Sequence, residues 1–219
     1  MPYYEDLDLF IKEEYNVNPP FSVSVRLCKV AKRYCQSKKN ILDMGTGTGI
    51  VGIYLSRIGN DVTSTDINLN ALKLAEHNSK NNNTNLTILY SDIYSNISSK
   101  FDIIIFSIPF VPYEHNYSRF FSYMYKKCLP EFIRRNINKL IFRLKPLKIY
   151  AWNTRKEIVF RFLKESKNYL TNDGIIIATV LETDLHLFRN EKIGIMEEIR
   201  SKDFPDEYIL IYKYISENT

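Results

Sequence analysis

A doubly wound α/β sheet, mostly parallel, is the architecture this sequence predicts. Short runs rich in Ile, Val and Leu alternate with segments of helical period in a β-α-β-α-β order. The runs are almost continuously apolar, as strands covered on both faces are. A glycine-rich turn, GTGTG at 45–49, joins the first run to a helix, which is where sheets of this kind receive ligands. With 219 residues, 45% hydrophobic and 25% charged, the chain can bury one sizeable core, and one domain over 1–219 is expected.

The elements follow in order. After the Pro19-Pro20 break a helix is expected over Ser22–Cys35, then a strand at Asn40–Met44 and a helix at Ile50–Arg57. A strand at Val62–Thr65 leads to a helix over Asn68–Asn81, which runs into the polar stretch HNSKNNNTN (77–85) as a helix end and loop. Strands at Leu86–Tyr90 and Asp102–Ser107 come next, then a helix over Thr154–Leu170 stopped by the turn signal TNDG, and a strand at Gly174–Leu181. Two further β-like runs, Ile193–Ile199 and Tyr208–Ile215, are linked through a polar segment containing Pro205, which suits an antiparallel pair at a sheet edge. The total is seven strands, without internal repeats.

Several classes are disfavoured. The opening MPYYEDLDLF is acidic where a secretory leader is basic and then apolar, and the longest apolar stretch, FDIIIFSIPFVPY, is too short to span a bilayer, so a cytoplasmic location without membrane contact is expected. Cys28, Cys35 and Cys128 form no C-x-x-C pair and read as free thiols rather than a disulfide framework or zinc cluster. Glu182, Asp184 and His186 alternate after the fifth strand in a pattern that could face a metal, but a solvated loop is the reading taken, and no metal is expected.

The turn raises the question of its ligand. Gly45, Gly47 and Gly49 give G-x-G-x-G, with Ile50 where a dinucleotide fingerprint has its third glycine. Asp43 precedes the turn and would repel a diphosphate while suiting an ammonium or sulfonium group. Asp66 closes the second strand, from which a carboxylate accepts both ribose hydroxyls. Asp92 and Ile93, in SDI, are placed to receive an adenine amino group and to pack on its ring. A nucleoside lacking a pyrophosphate fits these residues.

Together LDMGTGTG, the Asp66 strand end, SDI and FDIIIFSIPFVP resemble the class I S-adenosylmethionine-dependent methyltransferases, nearest in pattern to the branch of the release-factor glutamine N5-methyltransferases. The resemblance implies a Rossmann-like sheet with a reversed last strand and S-adenosyl-L-methionine as cofactor. It implies Gly45, Gly47 and Gly49 against the methionine part, Asp43 near its amino group, Asp66 on the ribose, Asp92 with Ile93 at the adenine, Ser107 beside the methyl, and Ile67 among the cofactor-binding residues. Residues 1–36, with NPPFSVS at 18–24, would form a segment covering the cofactor. The family's fourth-strand motif is Asn or Asp, Pro-Pro, then an aromatic; here it is Ser107-Ile108-Pro109-Phe110. Ser107, Pro109 and Phe110 are thereby implied as the catalytic group, a hydroxyl accepting one hydrogen bond and a ring stacking on the acceptor.

An insertion at 112–153 follows. Between Arg119 and Tyr150 it holds nine Lys or Arg against one acid, Glu131, while the whole chain is only +5. With its interleaved aromatics it reads as a lid or substrate-binding segment that could attract RNA. Glu114 and His115 are candidates for a nearby base, and Tyr3 and Tyr4 for a terminal flap. The expected function is methyl transfer to a nitrogen of a small molecule or protein side chain. An RNA methyltransferase and a catalytically inactive cofactor-binding partner subunit are the alternatives.

Overall fold

The computed structural model describes residues 1–109, 145–189, 193–201 and 206–214, and for 145–154 the backbone path alone. Two short strands, β1 (Tyr3–Tyr4) and β2 (Leu9–Phe10), pair antiparallel ahead of the main sheet. They are followed by α1 (Ser22–Lys32), β3 (Asn40–Met44), α2 (Ile50–Arg57), β4 (Asp61–Asp66), α3 (Leu69–Asn81), β5 (Thr87–Tyr90) and β6 (Phe101–Ser107). Beyond residue 144 come α4 (Lys145–Ser166), β7 (Leu170–Leu181), α5 (Leu185–Arg189), β8 (Ile193–Arg200) and β9 (Glu207–Tyr214).

The main sheet has seven strands in the order β5-β4-β3-β6-β7-β9-β8, all parallel except β9, which runs against both of its neighbours. This is the expected doubly wound sheet with a reversed last strand. The trailing pair is interleaved: β9 inserts beside β7, leaving β8 at the edge.

Side-chain alternation along the strands divides the core. Leu42, Ile104, Ile176 and Leu210 face one layer, filled by Val159, Phe162 and Leu163 of α4. Their neighbours Ile41, Ile103, Ile105, Ile177 and Ile211 face the other, filled by Leu27 and Ala31 of α1 and Ile53 and Leu55 of α2. Every one of these is nearly inaccessible to water, which explains the unbroken apolar runs in the sequence. Cys28 lies in the second layer and Cys35 at its margin, both free thiols, while Cys128 is outside the described residues. Among the described residues no helix is long and apolar enough to cross a membrane.

Three helix boundaries differ from the sequence expectation by three residues or more. α1 stops at Lys32 rather than Cys35. α4 spans Lys145–Ser166 rather than Thr154–Leu170, so it begins inside the basic insertion and ends before Leu170. TNDG does not stop that helix. Leu170 is buried and pairs with Phe101 as a strand residue, and the register resumes at Ile175 opposite Ile103, so 171–174 bulge out of β7. Thr171 Oγ1 donates to Asp102 Oδ1 at 3.1 Å from within the bulge. Its last residue must be glycine: a Cβ on Gly174 would sit 2.9 Å from Leu170 Cδ2 and 3.0 Å from the Phe101 carbonyl oxygen.

Candidate functional site

Strand order reverses between β3 and β6, and two segments leave the sheet there side by side: the 45–49 turn after β3 and residues 107–109 after β6. Met44 pairs with Phe106, so Ser107 is one step past the last paired residue of β3. The turn lies close against the end of β6, since a Cβ on Gly45 would be 3.2 Å from Phe106 Cε2. A crevice at such a reversal is the ligand site of open α/β sheets.

Within the turn Gly45, Gly47 and Gly49 all have left-handed φ, at +66°, +56° and +84°. They differ in what their missing side chains make room for. A Cβ on Gly49 would fall 3.0 Å from both Cα and Cβ of Ala75, so the third glycine lets α3 pack on the start of α2. At Gly47 the nearest atom to a Cβ would be the Asn18 carbonyl oxygen at 3.9 Å, which leaves a nearly open space beneath the N-terminal segment. Gly47 rather than Gly49 is the position where the backbone faces room for a ligand.

Asp43 is buried beneath the turn. Its Oδ2 accepts from Thr46 Oγ1 at 2.6 Å, the Gly52 amide at 3.1 Å and Ser64 Oγ at 3.5 Å. Burial pushes its carboxyl up to about 6, the nearby Asp66 charge adding to the effect and these hydrogen bonds opposing it. Asp43 thus organises the turn from below.

Asp66 ends β4 at the mouth. Its Oδ2 accepts the Gly47 amide at 3.0 Å and its Oδ1 accepts the Asn68 amide at 2.8 Å. Ile67 beside it is 43% exposed, an apolar side chain standing in solvent at the crevice. Asn68 caps α3 by accepting from the Asn70 amide and donates to the Asn16 carbonyl at 3.0 Å. Farther along α3, Asn78 exchanges hydrogen bonds with both backbone groups of Lys12 and donates to the Thr48 carbonyl, and Asn82 does the same with Phe10. The N-terminal segment therefore rides along α3 and passes beside Gly47. In the sequence this asparagine-rich stretch reads only as a polar helix end. The signal for its role is that asparagine, a poor helix former, recurs four residues apart in the last turn of the helix and at its C-cap.

Asp92 sits in the loop after β5, where its Oδ2 forms an ion pair with Arg161 of α4 at 2.9 Å. Ile93 is buried with left-handed φ of +53°. Both are thus on the same carboxyl edge as the turn, with Asp92 engaged by a helix that the sequence did not connect to it.

At the other segment, Ser107 is half-buried opposite Thr179, and Ile108 is buried. Arg155 Nη1 donates to the Ile108 carbonyl at 3.0 Å and also to the Pro109 carbonyl. The same guanidinium binds Asp184 Oδ2 through Nε at 2.9 Å and Nη2 at 2.8 Å, both side chains almost wholly buried. Asp184, expected in a solvated loop, is instead turned inward, because it also accepts the Leu181 amide at 3.0 Å. Glu182 and His186 remain at the surface, and among the described residues no group of three His, Cys, Asp or Glu is placed to hold a metal. Arg155 gave no sequence signal, being one arginine in a basic stretch. Phe110, Glu114, His115 and residues 112–144 of the basic insertion lie outside the described residues.

Residues 27–128 match the family model described as the methyltransferase small domain. The chain is 31% identical over 142 residues to a protein assigned as an N5-glutamine methyltransferase of Methanocaldococcus jannaschii, spanning 63% of this chain and 59% of that one. It is 27% identical over 180 residues to the release factor glutamine methyltransferase of Lactococcus lactis, covering 81% of this chain and 60% of that one. The chain thus spans about three fifths of the length of these two relatives. Among solved structures, the ribosomal protein L11 methylase of Lactobacillus delbrueckii superposes with a TM-score of 0.65 at 16% identity, over 98% of this chain and 89% of that one. The 16S rRNA N2 G1207 methyltransferase of Thermus thermophilus, in complex with AdoMet and guanosine, gives 0.58 at 13% identity over 90% and 44%. These likenesses concern the fold.

Proposed function

We propose that this chain, which superposes in fold on solved methyltransferases and matches the methyltransferase small domain model over 27–128, transfers a methyl group from S-adenosylmethionine to a nitrogen of a protein side chain. The observation that carries this reading is the pairing of Asp66 Oδ2 with the amide of Gly47, the glycine of the turn whose missing side chain leaves the most room. A half-buried carboxylate and a side-chain-free backbone share one mouth, and the exposed Ile67 provides an apolar face beside them. This set suits a ribose and its neighbouring uncharged groups better than a phosphate.

S-adenosylmethionine supplies an electrophilic methyl group on a sulfonium. In this reading Asp66 would accept the ribose hydroxyls, Ile67 and Ile93 would offer apolar surface to the adenine, and Asp92 would receive its amino group in place of Arg161. Asp43 holds the turn that shapes the methionine end. Ser107 Oγ would accept one N–H of the target and align its lone pair with the methyl, the proton given up by the nitrogen passing to solvent, and Pro109 and Phe110 would line the acceptor side. Residues 1–36 act as a cover through the contacts of Asn68, Asn78 and Asn82 with the segment before α1. The glutamine amide of a release factor is the first acceptor to try, because one relative is named a release factor glutamine methyltransferase and another a protein N5-glutamine methyltransferase.

The test is incubation of the full chain with methyl-labelled S-adenosylmethionine and, separately, a release factor, ribosomal protein L11 and ribosomal RNA. Label on a glutamine of the release factor is the expected result. Transfer to RNA alone would favour the second reading, for which the nine basic residues between Arg119 and Tyr150 speak. Cofactor binding with no transfer would favour the binding subunit, and absence of cofactor binding would overturn all three.

A further inference from the structure

We propose that Arg155 is a positioning residue for methyl transfer: held by Asp184, it fixes the Ile108–Pro109 backbone and so sets where Ser107 presents its hydroxyl. The proposal rests on the reading that 107–109 form the acceptor side of the site. Three observations carry it. The guanidinium is buried, at 3% side-chain exposure, and Asp184 at 1%, so neither is there for solubility. Its hydrogen bonds are divided by direction: Nε and Nη2 go to one carboxylate oxygen, Nη1 to the carbonyls of two consecutive residues. Those residues leave the sheet at the strand reversal, immediately after Ser107.

Residue 108 has an ordinary freedom of φ that a proline would lack. Hydrogen bonds from a charged donor to two successive carbonyls remove that freedom from outside the chain. Asp184 is needed because an unpaired buried guanidinium would be driven toward solvent; the carboxylate is itself held by the Leu181 amide at the end of β7. The device spans β6, α4 and the turn after β7, so the acceptor segment is referenced to two neighbouring elements of the sheet and its covering layer. Lysine would keep the charge but not this division, having no planar fork.

The experiment uses the full chain with Arg155→Lys, Arg155→Met, and the double variant Arg155→Met/Asp184→Leu, in which an apolar pair replaces the buried ions and keeps the fold if a single change does not. S-adenosylhomocysteine affinity, kcat and KM with the release factor as probe, and hydrogen exchange at residues 105–108 are measured. A misplacement of reacting groups by about 1 Å costs on the order of 10²-fold, so the folded double variant should lose about that in kcat. KM and S-adenosylhomocysteine affinity should change little, and exchange at 107–108 should quicken while β3 stays protected. Arg155→Lys should recover only part of the rate. A folded double variant with unchanged kcat overturns the proposal. If the wild-type chain methylates none of the acceptors, the functional reading fails, and exchange decides the positioning role: unchanged protection at 107–108 overturns it.

Discussion

Asp66 Oδ2 and the Gly47 amide lie 3.0 Å apart, joining the end of β4 to the middle of the turn that follows β3. The same carboxylate binds the Asn68 amide at 2.8 Å, so it is held at the mouth by two backbone donors. Asp66→Ala removes an acceptor from the ligand and a tie from the turn at once. A hydrogen bond to a charged group contributes about 1.5–3 kcal/mol, so S-adenosylhomocysteine should bind roughly tenfold to a few hundredfold more weakly in calorimetry. Unchanged affinity would remove Asp66 from the site.

The three glycines of the turn should separate by mutation. Gly49→Ala places a Cβ 3.0 Å from the backbone of Ala75 at a φ of +84°. Left-handed backbone alone costs an L-residue roughly 1–2 kcal/mol, so the melting temperature should fall by roughly 2–8 °C. Trimming Ala75 to glycine would not restore it, because the main chain of α3 would still press on the added methyl. Gly47→Ala meets no atom closer than 3.9 Å, so its cost in stability should be smaller and its cost in cofactor affinity larger. Equal melting temperatures for the two variants would contradict this division.

The sheet was legible in the sequence because each buried strand carries apolar residues on both faces, as Ile41 with Leu42 and Ile103 with Ile104 do. Asp43 and Asp66 were legible for their position at strand ends, though not for their difference: one is sealed under the turn and the other stands at its mouth. The TNDG bulge reads as a stop because the pairing of Leu170 with Phe101 is a tertiary interaction with no local trace. The pairing of Arg155 with Asp184 was invisible for the same reason. They stand 29 residues apart, and only the packing of α4 beside the turn after β7 brings them together.

Asp43 gives the turn a pH dependence. Its carboxyl titrates near 3.8 when exposed and is pushed up to about 6 by burial in the folded chain. The folded state therefore holds the proton more tightly, and the stability this confers is fully present below 3.8 and lost as pH rises through about 6. Two units correspond to about 3 kcal/mol. Asp43→Asn keeps an oxygen for Thr46 and Gly52 without the titration. The stability of wild type relative to this variant should fall by about that amount between about pH 4 and 7 in denaturant melts. Exposed carboxyls held low, such as Asp8 beside Tyr3 and Arg57, act in the opposite direction but are common to both proteins and cancel in the difference. A flat difference would show that Asp43 is not sealed.

Ser107 separates acceptor alignment from cofactor binding. It follows the last pair between β3 and β6, and its hydroxyl is the only side-chain acceptor in 107–109. Ser107→Ala leaves the sheet and the Arg155 contacts to the 108 and 109 carbonyls in place, so melting temperature and S-adenosylhomocysteine affinity should hold. The target N–H loses its partner in a partly desolvated crevice, at a cost of about 1–3 kcal/mol, and kcat should drop roughly fivefold to 150-fold with the release factor as acceptor. Ser107→Asn supplies an amide oxygen at the same place and should retain activity or redirect it to another acceptor. Full activity in Ser107→Ala would mean that the target nitrogen is aligned elsewhere, with residues past 109 the first place to look.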